Sequence, residues 1–200
     1  MNLRTFKSLL VYFLPWILHI INLSLETGIF PEGLKNAKVI PFQKGGARSD
    51  VGNSVPISII PLFSKMFEKV VHKMLYLYLS QHDFISDTQF CFHKGHSTTH
   101  AGQHFCDFLN QSLENIKISL TVFIDFKKAF DTIDVKTLLR RLESLRVKGV
   151  CVNWFDSFLK RRSVKVKIEN VTSSTYLVNC GVPQGSVLGS ILYLVYEKKV

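Results

Sequence analysis

Asp125 closes an apolar run of Leu120, Val122, Phe123 and Ile124, and Lys127, Lys128, Phe130 and Asp131 follow it closely. In FIDFKKAFD (residues 123–131) a strand is expected to carry the Asp125 carboxylate at its tip, beside cations. Mg2+-dependent phosphoryl transfer uses that arrangement, since hard oxygen ligands hold the metal and nearby cations steady phosphates. A carboxylate so placed could equally cap the next turn. The second segment is GVPQGSVLGS (residues 181–190). Gly181, Gly185 and Gly189, with Pro183, let a backbone pass very close to a ligand, although a Gly/Pro turn needs no ligand.

His96, His100 and His104 recur at every fourth residue of an expected helix, with Cys91 and His93 before them and Cys106 after. Histidines four apart share a helix face and can bind Zn2+. The outer two lie about 12 Å apart along the axis, too far for one ion to hold all three. Two alternatives stay open: a site of two histidines with Cys91 or a ligand from another element, or a polar helix face without metal.

Periodicity places these residues on a scaffold. Residues 60–79 set Leu62, Met66, Phe67, Val70, Val71, Met74 and Leu75 at helical spacing, which predicts a helix with that stripe in the core. Ser97 or Thr98 caps the next helix, running towards Leu113. Asp134 caps another, with Val135, Leu138, Leu139, Leu142 and Leu145 on one stripe and Gly149 at its end. Trp154, Phe155, Phe158 and Leu159 mark a short helix. From Ser163 the period becomes two: Val164, Val166 and Ile168 face a core, and Lys165 and Lys167 face out. A turn near Asn170 returns the chain through Tyr176, Val178 and Cys180 into the Gly181 loop, while Ser186 can cap the helix beyond it. Residues 9–23 are strongly apolar after Arg4 and Lys7, but Pro15, His19 and Asn22 interrupt them. The run is shorter than the roughly 20 residues of a membrane span, so a core helix is expected there rather than a targeting segment.

Composition narrows the class. With 46% hydrophobic residues in a chain of 200, wholesale disorder is excluded and a sizeable core is available. A net charge of +10 points to an anionic partner, nucleic acid first. Lys160, Arg161, Arg162, Lys165 and Lys167 concentrate that charge; they suit phosphate contacts, or else form a solvated strand face. Cys91, Cys106, Cys151 and Cys180 contain no Cys-x-x-Cys pair. Reduced, mostly buried thiols are expected, in an intracellular chain of nucleus or cytoplasm that is not secreted.

The two segments belong to a longer collinear string: GIFPEGLKNAKVIP (28–41), NSVPISIIPLFSKMFEKVV (53–71), SDTQFCFHKGHSTTHA (86–101) and WFDSFLKRR (154–162). From about Ile17 to about Tyr196 the chain resembles the fingers and front palm of the reverse transcriptase of non-LTR retrotransposons, with residues 123–131 and 181–190 as its motifs A and B. The resemblance implies an α/β (α+β) right-hand polymerase architecture. Its parts would be an N-terminal helical extension (1–30), a fingers-like region (31–118) and an incomplete palm (119–200). It implies an RNA-directed DNA polymerase that extends a DNA primer on an RNA template with dNTPs and Mg2+, and no membrane partner. Asp125 matches the first metal ligand, and Phe126 would offer its backbone carbonyl. Phe130 matches the aromatic under the incoming sugar, whose ring leaves no room for a 2′-OH. Gln184 and Gly185 match template and nucleotide contacts, and Lys44 matches a lysine that meets the triphosphate. Lys160, Arg161, Arg162, Lys165 and Lys167 would follow the template–primer duplex.

Departures from the family pattern are expected to matter. The pattern Asn-Tyr-Arg-Pro-Ile-Ser reads Asn53-Ser54-Val55-Pro56-Ile57-Ser58, so Val55 replaces an arginine that would clamp the triphosphate. Gln89-Phe90-Cys91-Phe92-His93 lacks a glycine and another arginine of the pattern. Val135 stands where His is usual, and Ser190 replaces the proline that ends motif B. The third palm motif, an aromatic-Ala-Asp-Asp hairpin, would fall beyond Val200. The resemblance thus implies a truncated fragment, inactive alone. Its alternatives are a non-catalytic nucleic-acid-binding remnant and a membrane-tethered protein led by residues 9–23.

Overall fold

A computed structural model describes residues 3–45 and 53–198, with side chains of the first helix from Val11 onwards. The side chains of Arg4, Lys7 and Leu9, and all of Lys199 and Val200, fall outside it. Phe30 is the centre of the helical core: fully buried, its ring meets Phe67, Trp154 and Phe158 edge-on at 5.7, 5.5 and 5.1 Å. Such pairs add about 0.5–1.5 kcal/mol each beyond the area they bury. Helix α1 (Leu3–Thr27) reaches this core by Ile17, Ile21 and Ser24, and Ser24 Oγ accepts from Trp154 Nε1 at 3.0 Å. The expected core helix is therefore present, but it is buried along one narrow stripe; Tyr12, Phe13, Trp16, Leu18 and Ile20 stay exposed. Among the described residues no helix is long and apolar enough to cross a membrane.

A five-stranded sheet flanks the helices. β1 (Asn36–Gln43) lies antiparallel to β2 (Ser54–Ile59) and parallel to β3 (Arg162–Ile168). β3 also pairs antiparallel with β4 (Val171–Thr172) and β5 (Tyr176–Val178), the return limb expected after Asn170. The alternation on β3 is shorter than expected, because Ile168, paired only with the exposed Val171 of β4, is 59% exposed.

α2 (Leu62–Gln81) follows β2, but its inward stripe is Ser64, Phe67, Glu68, Val71, Leu75 and Leu79, and the expected Leu62 and Met74 are exposed. The helix is rotated so that two polar residues enter the core. α3 (Thr98–Glu114) starts at Ser97, whose Oγ accepts from His100 N, yet it buries no residue. α4 (Val135–Ser144) starts at Asp134, whose Oδ2 accepts from Thr137 N at 2.7 Å, and buries Val135, Leu138 and Leu142. α5 (Val150–Leu159) supplies Trp154, Phe155 and Phe158, and α6 (Gly189–Glu197) supplies Ile191, Leu192 and Val195. One cluster of buried residues joins α1, α2, α4, α5 and α6, and β1 of the 31–118 stretch pairs with β3 of the 119–200 stretch.

The expected strand over residues 120–124 does not form. Residues 117–126 have no strand partner among those described, and Leu120 (91% exposed) and Phe123 (83%) face solvent. A strand exists by pairing its N–H and C=O groups with a neighbour, and an apolar β-branched pattern alone cannot supply one.

Candidate active site

The loop that begins at Gly181 closes onto the end of the 123–131 segment through backbone alone. Gly181 N donates to Ile133 O at 2.8 Å and Val182 N to Phe130 O at 2.9 Å. At Gly181 φ is +81°, and a Cβ would lie 2.8 Å from Asp131 O, so glycine is required on both counts. The loop also meets β2: Ser58 N donates to Gln184 O at 2.8 Å, and a Cβ on Gly185 (φ +104°) would lie 2.8 Å from Ser58 O. Ser186 N then donates to Pro183 O, and Ser186 Oγ accepts from Gly189 N, the first amide of α6, at 2.9 Å, although the N-cap position itself is Leu188. Phe130 is half-buried beneath this loop, with the Tyr193 ring at 5.1 Å and that of Phe92 at 6.3 Å. Phe130, Gln184 and Gly185 are thus brought together.

Asp125 is not fixed in the same way. It is exposed at the end of the unpaired 117–126 segment, next to Phe126, also exposed. Its field reaches Tyr193, whose hydroxyl is pushed up to about 12, first by burial, then by its hydrogen bond to Glu197 and the charges of Glu197 and Asp125. Burial likewise raises the Asp131 carboxyl, against the pull of Lys128. A cleft of about 530 Å³ opens here, lined in part by Phe84, Gln89, Phe126, Lys127, Tyr193 and Glu197. Among the described residues no three His, Cys, Asp or Glu side chains converge as metal ligands. Asp125 presents a single carboxylate to solvent here, and two ions held in register need more than one.

Among the histidines one pair stacks, and His96 and His100 meet edge-on at 6.4 Å. His93 and His96 lie parallel with centroids 4.1 Å apart, and Phe90 contacts both His96 and His104 at 5.5 Å. Parallel rings aim their lone pairs along separate planes, which does not chelate one ion.

The basic stretch divides. Arg161, Lys165 and Lys167 are exposed, and Lys160 pairs with Asp156 at 2.6 Å. Arg162 is a correction: it is 3% exposed, donates from Nη1 to Phe158 O at 3.1 Å and lies 4.8 Å over the Phe158 ring, so it reaches no phosphate from there. Lys38 is a cation that the sequence reading overlooked; it lies beside Lys165 in the β1–β3 register and is exposed. Lys44 follows β1, its amide bonded to Asn53 O, about 17 Å along the strand from the level of Ser58. Ser58, Glu68 and Tyr193 were also overlooked. Glu68 gave a signal: a carboxylate on the apolar stripe of α2 needs a partner inside the core.

Comparisons with known proteins identify the family. The family model for reverse transcriptase (RNA-dependent DNA polymerase) matches residues 43–200. The chain is 30% identical over 193 residues to the probable RNA-directed DNA polymerase from transposon BS of Drosophila melanogaster, covering 96% of this chain and 21% of that protein. It is 30% identical over 194 residues to the RNA-directed DNA polymerase from mobile element jockey of the same species, and 29% to that of Drosophila funebris, with the same coverage. The chain therefore spans about a fifth of the length of these curated relatives.

Proposed function

Since the chain belongs to the reverse transcriptase family, we propose that it forms the fingers and front palm of a non-LTR retrotransposon RNA-directed DNA polymerase. The observation that carries this reading is the closure of the 181–185 loop on Phe130 and Ser58. Phe130 lies against the deoxyribose of the incoming nucleotide, and its ring, backed by Tyr193, has no give for a 2′-OH. Gln184 and Gly185 face the template base pair, where glycine backbone allows close approach. Lys44 serves the triphosphate. Arg161, Lys165 and Lys167, joined by Lys38, follow the phosphates of the RNA template and DNA primer, with Lys160 partly neutralised by Asp156. Mg2+ bound at Asp125 and the Phe126 carbonyl would neutralise nucleotide phosphate charge. One carboxylate does not hold two ions in register, so the 200-residue chain alone is expected to extend no primer. The second reading, a nucleic-acid-binding module without catalysis, is favoured by the exposed Lys38–Lys165 pair, which needs no metal.

Primer extension with template–primer, dNTPs and Mg2+ or Mn2+, together with duplex binding, tests both readings. Incorporation abolished by Asp125→Ala would establish polymerase activity in this chain and overturn its expected inactivity. Duplex binding without incorporation, with a log–log salt slope flattened by Lys165→Glu and Lys167→Glu, fits both the fragment and the binding module. No binding at low salt would sink both.

A further inference from the structure

Glu68 is fully buried on α2, yet its carboxylate reaches across the chain to the loop before α6. Oε2 accepts from Val187 N at 2.7 Å and from Leu188 N at 3.3 Å, while Oε1 accepts from Ser64 Oγ at 3.1 Å. The Leu188 amide is one a helix start leaves unsatisfied, the Val187 amide lies just before it, and Leu188, the residue at the N-cap of α6, makes no side-chain cap of its own. A residue 119 positions away in sequence supplies that acceptor. The charged group facing Glu68 is Arg162 of β3, itself buried, with Nη1 on Phe158 O and Nη2 without a partner. Burial raises the Glu68 carboxyl above its ordinary value, opposed by the two amides, Ser64 and Arg162.

An apolar side chain often fills a buried place as stably as a buried charge, so stability alone does not explain the carboxylate. Its contacts do. Ser58 N holds the loop at Gln184, Glu68 holds it at Val187 and Leu188, and Gly185 lies between these two anchors. β2 ends at Ile59 and α2 begins at Leu62, so both anchors stand on consecutive elements of the chain. We propose that Glu68 is a positioning residue: it sets the shape of the 184–188 turn and makes that shape follow the β2–α2 unit. The functional half of this rests on the reading of Gln184 and Gly185 as template and nucleotide contacts.

The test uses the 15N-labelled 200-residue chain with Glu68→Gln, which keeps the size and loses the charge, and Glu114→Gln as an exposed control. In the unmutated chain the Val187 amide resonance should titrate with a midpoint above the ordinary glutamate value, and Glu68→Gln should abolish that titration. Amide exchange at Val187 and Leu188 should quicken about tenfold or more in Glu68→Gln, the scale of losing a charge-assisted bond. A pH-insensitive Val187 amide in the unmutated chain, which needs no variant to fold, would overturn the positioning role, as would unchanged exchange in Glu68→Gln. Affinity for an RNA–DNA template–primer, read in parallel, should fall several-fold in Glu68→Gln alone. A loosened turn with unchanged affinity leaves the positioning role standing and removes the template-facing reading of Gln184.

Discussion

Residues 181–195 and residues 116–126 each carry one half of the candidate site, and the fold treats them in opposite ways. The first stretch is tied by backbone to Phe130 and Ile133, by Gln184 to Ser58, and by Val187 and Leu188 to Glu68, before Ile191, Leu192 and Val195 enter the core. The second has a comparable apolar content, yet Ile116, Ile118, Leu120, Val122 and Ile124 all face solvent, and its ring contact is Phe123 on Phe105 at 5.7 Å. That contact leads to α3, which buries nothing. Apolar residues do not fix a segment by themselves; closed hydrogen bonds and a covered face do. Asp125 inherits the looseness of its segment, and Phe130, five residues on, inherits the order of the loop above it.

The largest expected effect lies in the ordered region. Glu68→Ala should lose about 3–5 kcal/mol in a urea melt, because it leaves the Val187 and Leu188 amides without their acceptor in the core, at about 1–3 kcal/mol each. Glu68→Gln, which keeps an acceptor oxygen there, should lose clearly less. A single-variant cost under about 1 kcal/mol would mean the 181–195 stretch is held by something else.

Gly185→Ala comes next, at about 2–3 kcal/mol, from a left-handed backbone and a Cβ pressed on Ser58 O at 2.8 Å. Exchange at Ser58 N, which bonds Gln184 O, should quicken in that variant and leave 117–126 unchanged.

A smaller effect concerns pH. Glu68 titrates above 4.5 in the folded chain, so between these values the unfolded chain releases its proton first. The stability it contributes is full below 4.5 and is lost as pH rises through the folded value, with a slope of at most about 1.4 kcal/mol per pH unit. Glu68→Gln should flatten that part of the pH–stability curve.

Smallest of all, Ile118→Ser and Val122→Thr should change stability by no more than about 0.5 kcal/mol, and their amides should exchange at nearly unprotected rates. A loss above about 1 kcal/mol would break the contrast between the two regions, because it would mean that 116–126 is covered in solution.

What the sequence disclosed follows the reach of each signal. The Asp134 and Ser97 caps span three residues and could be read directly, as could the β3–β5 return and the aromatic stripe of α5. Periodicity showed less where a partner decides the outcome: residues 120–124 have the pattern of a strand, but pairing is a property of two segments. Arg162 looked like part of a basic run. Counting by twos from Val164 puts it on the inward face, so the alternation already held the answer. The Glu68–Val187 bond had no local trace beyond a carboxylate on an apolar stripe, and its partner was legible only in three dimensions.

The tryptophans give this chain two unlike light sources. Trp154 is 2% exposed, stacked on Phe158 and bonded to Ser24, whereas Trp16 is 69% exposed on α1. Trp154 should emit towards the blue and resist a soluble quencher such as iodide, and Trp16 should emit towards the red and be quenched first. With Trp16→Phe the remaining emission becomes a single-colour gauge of the α1–α5 seam, blind to whatever happens at residues 116–126.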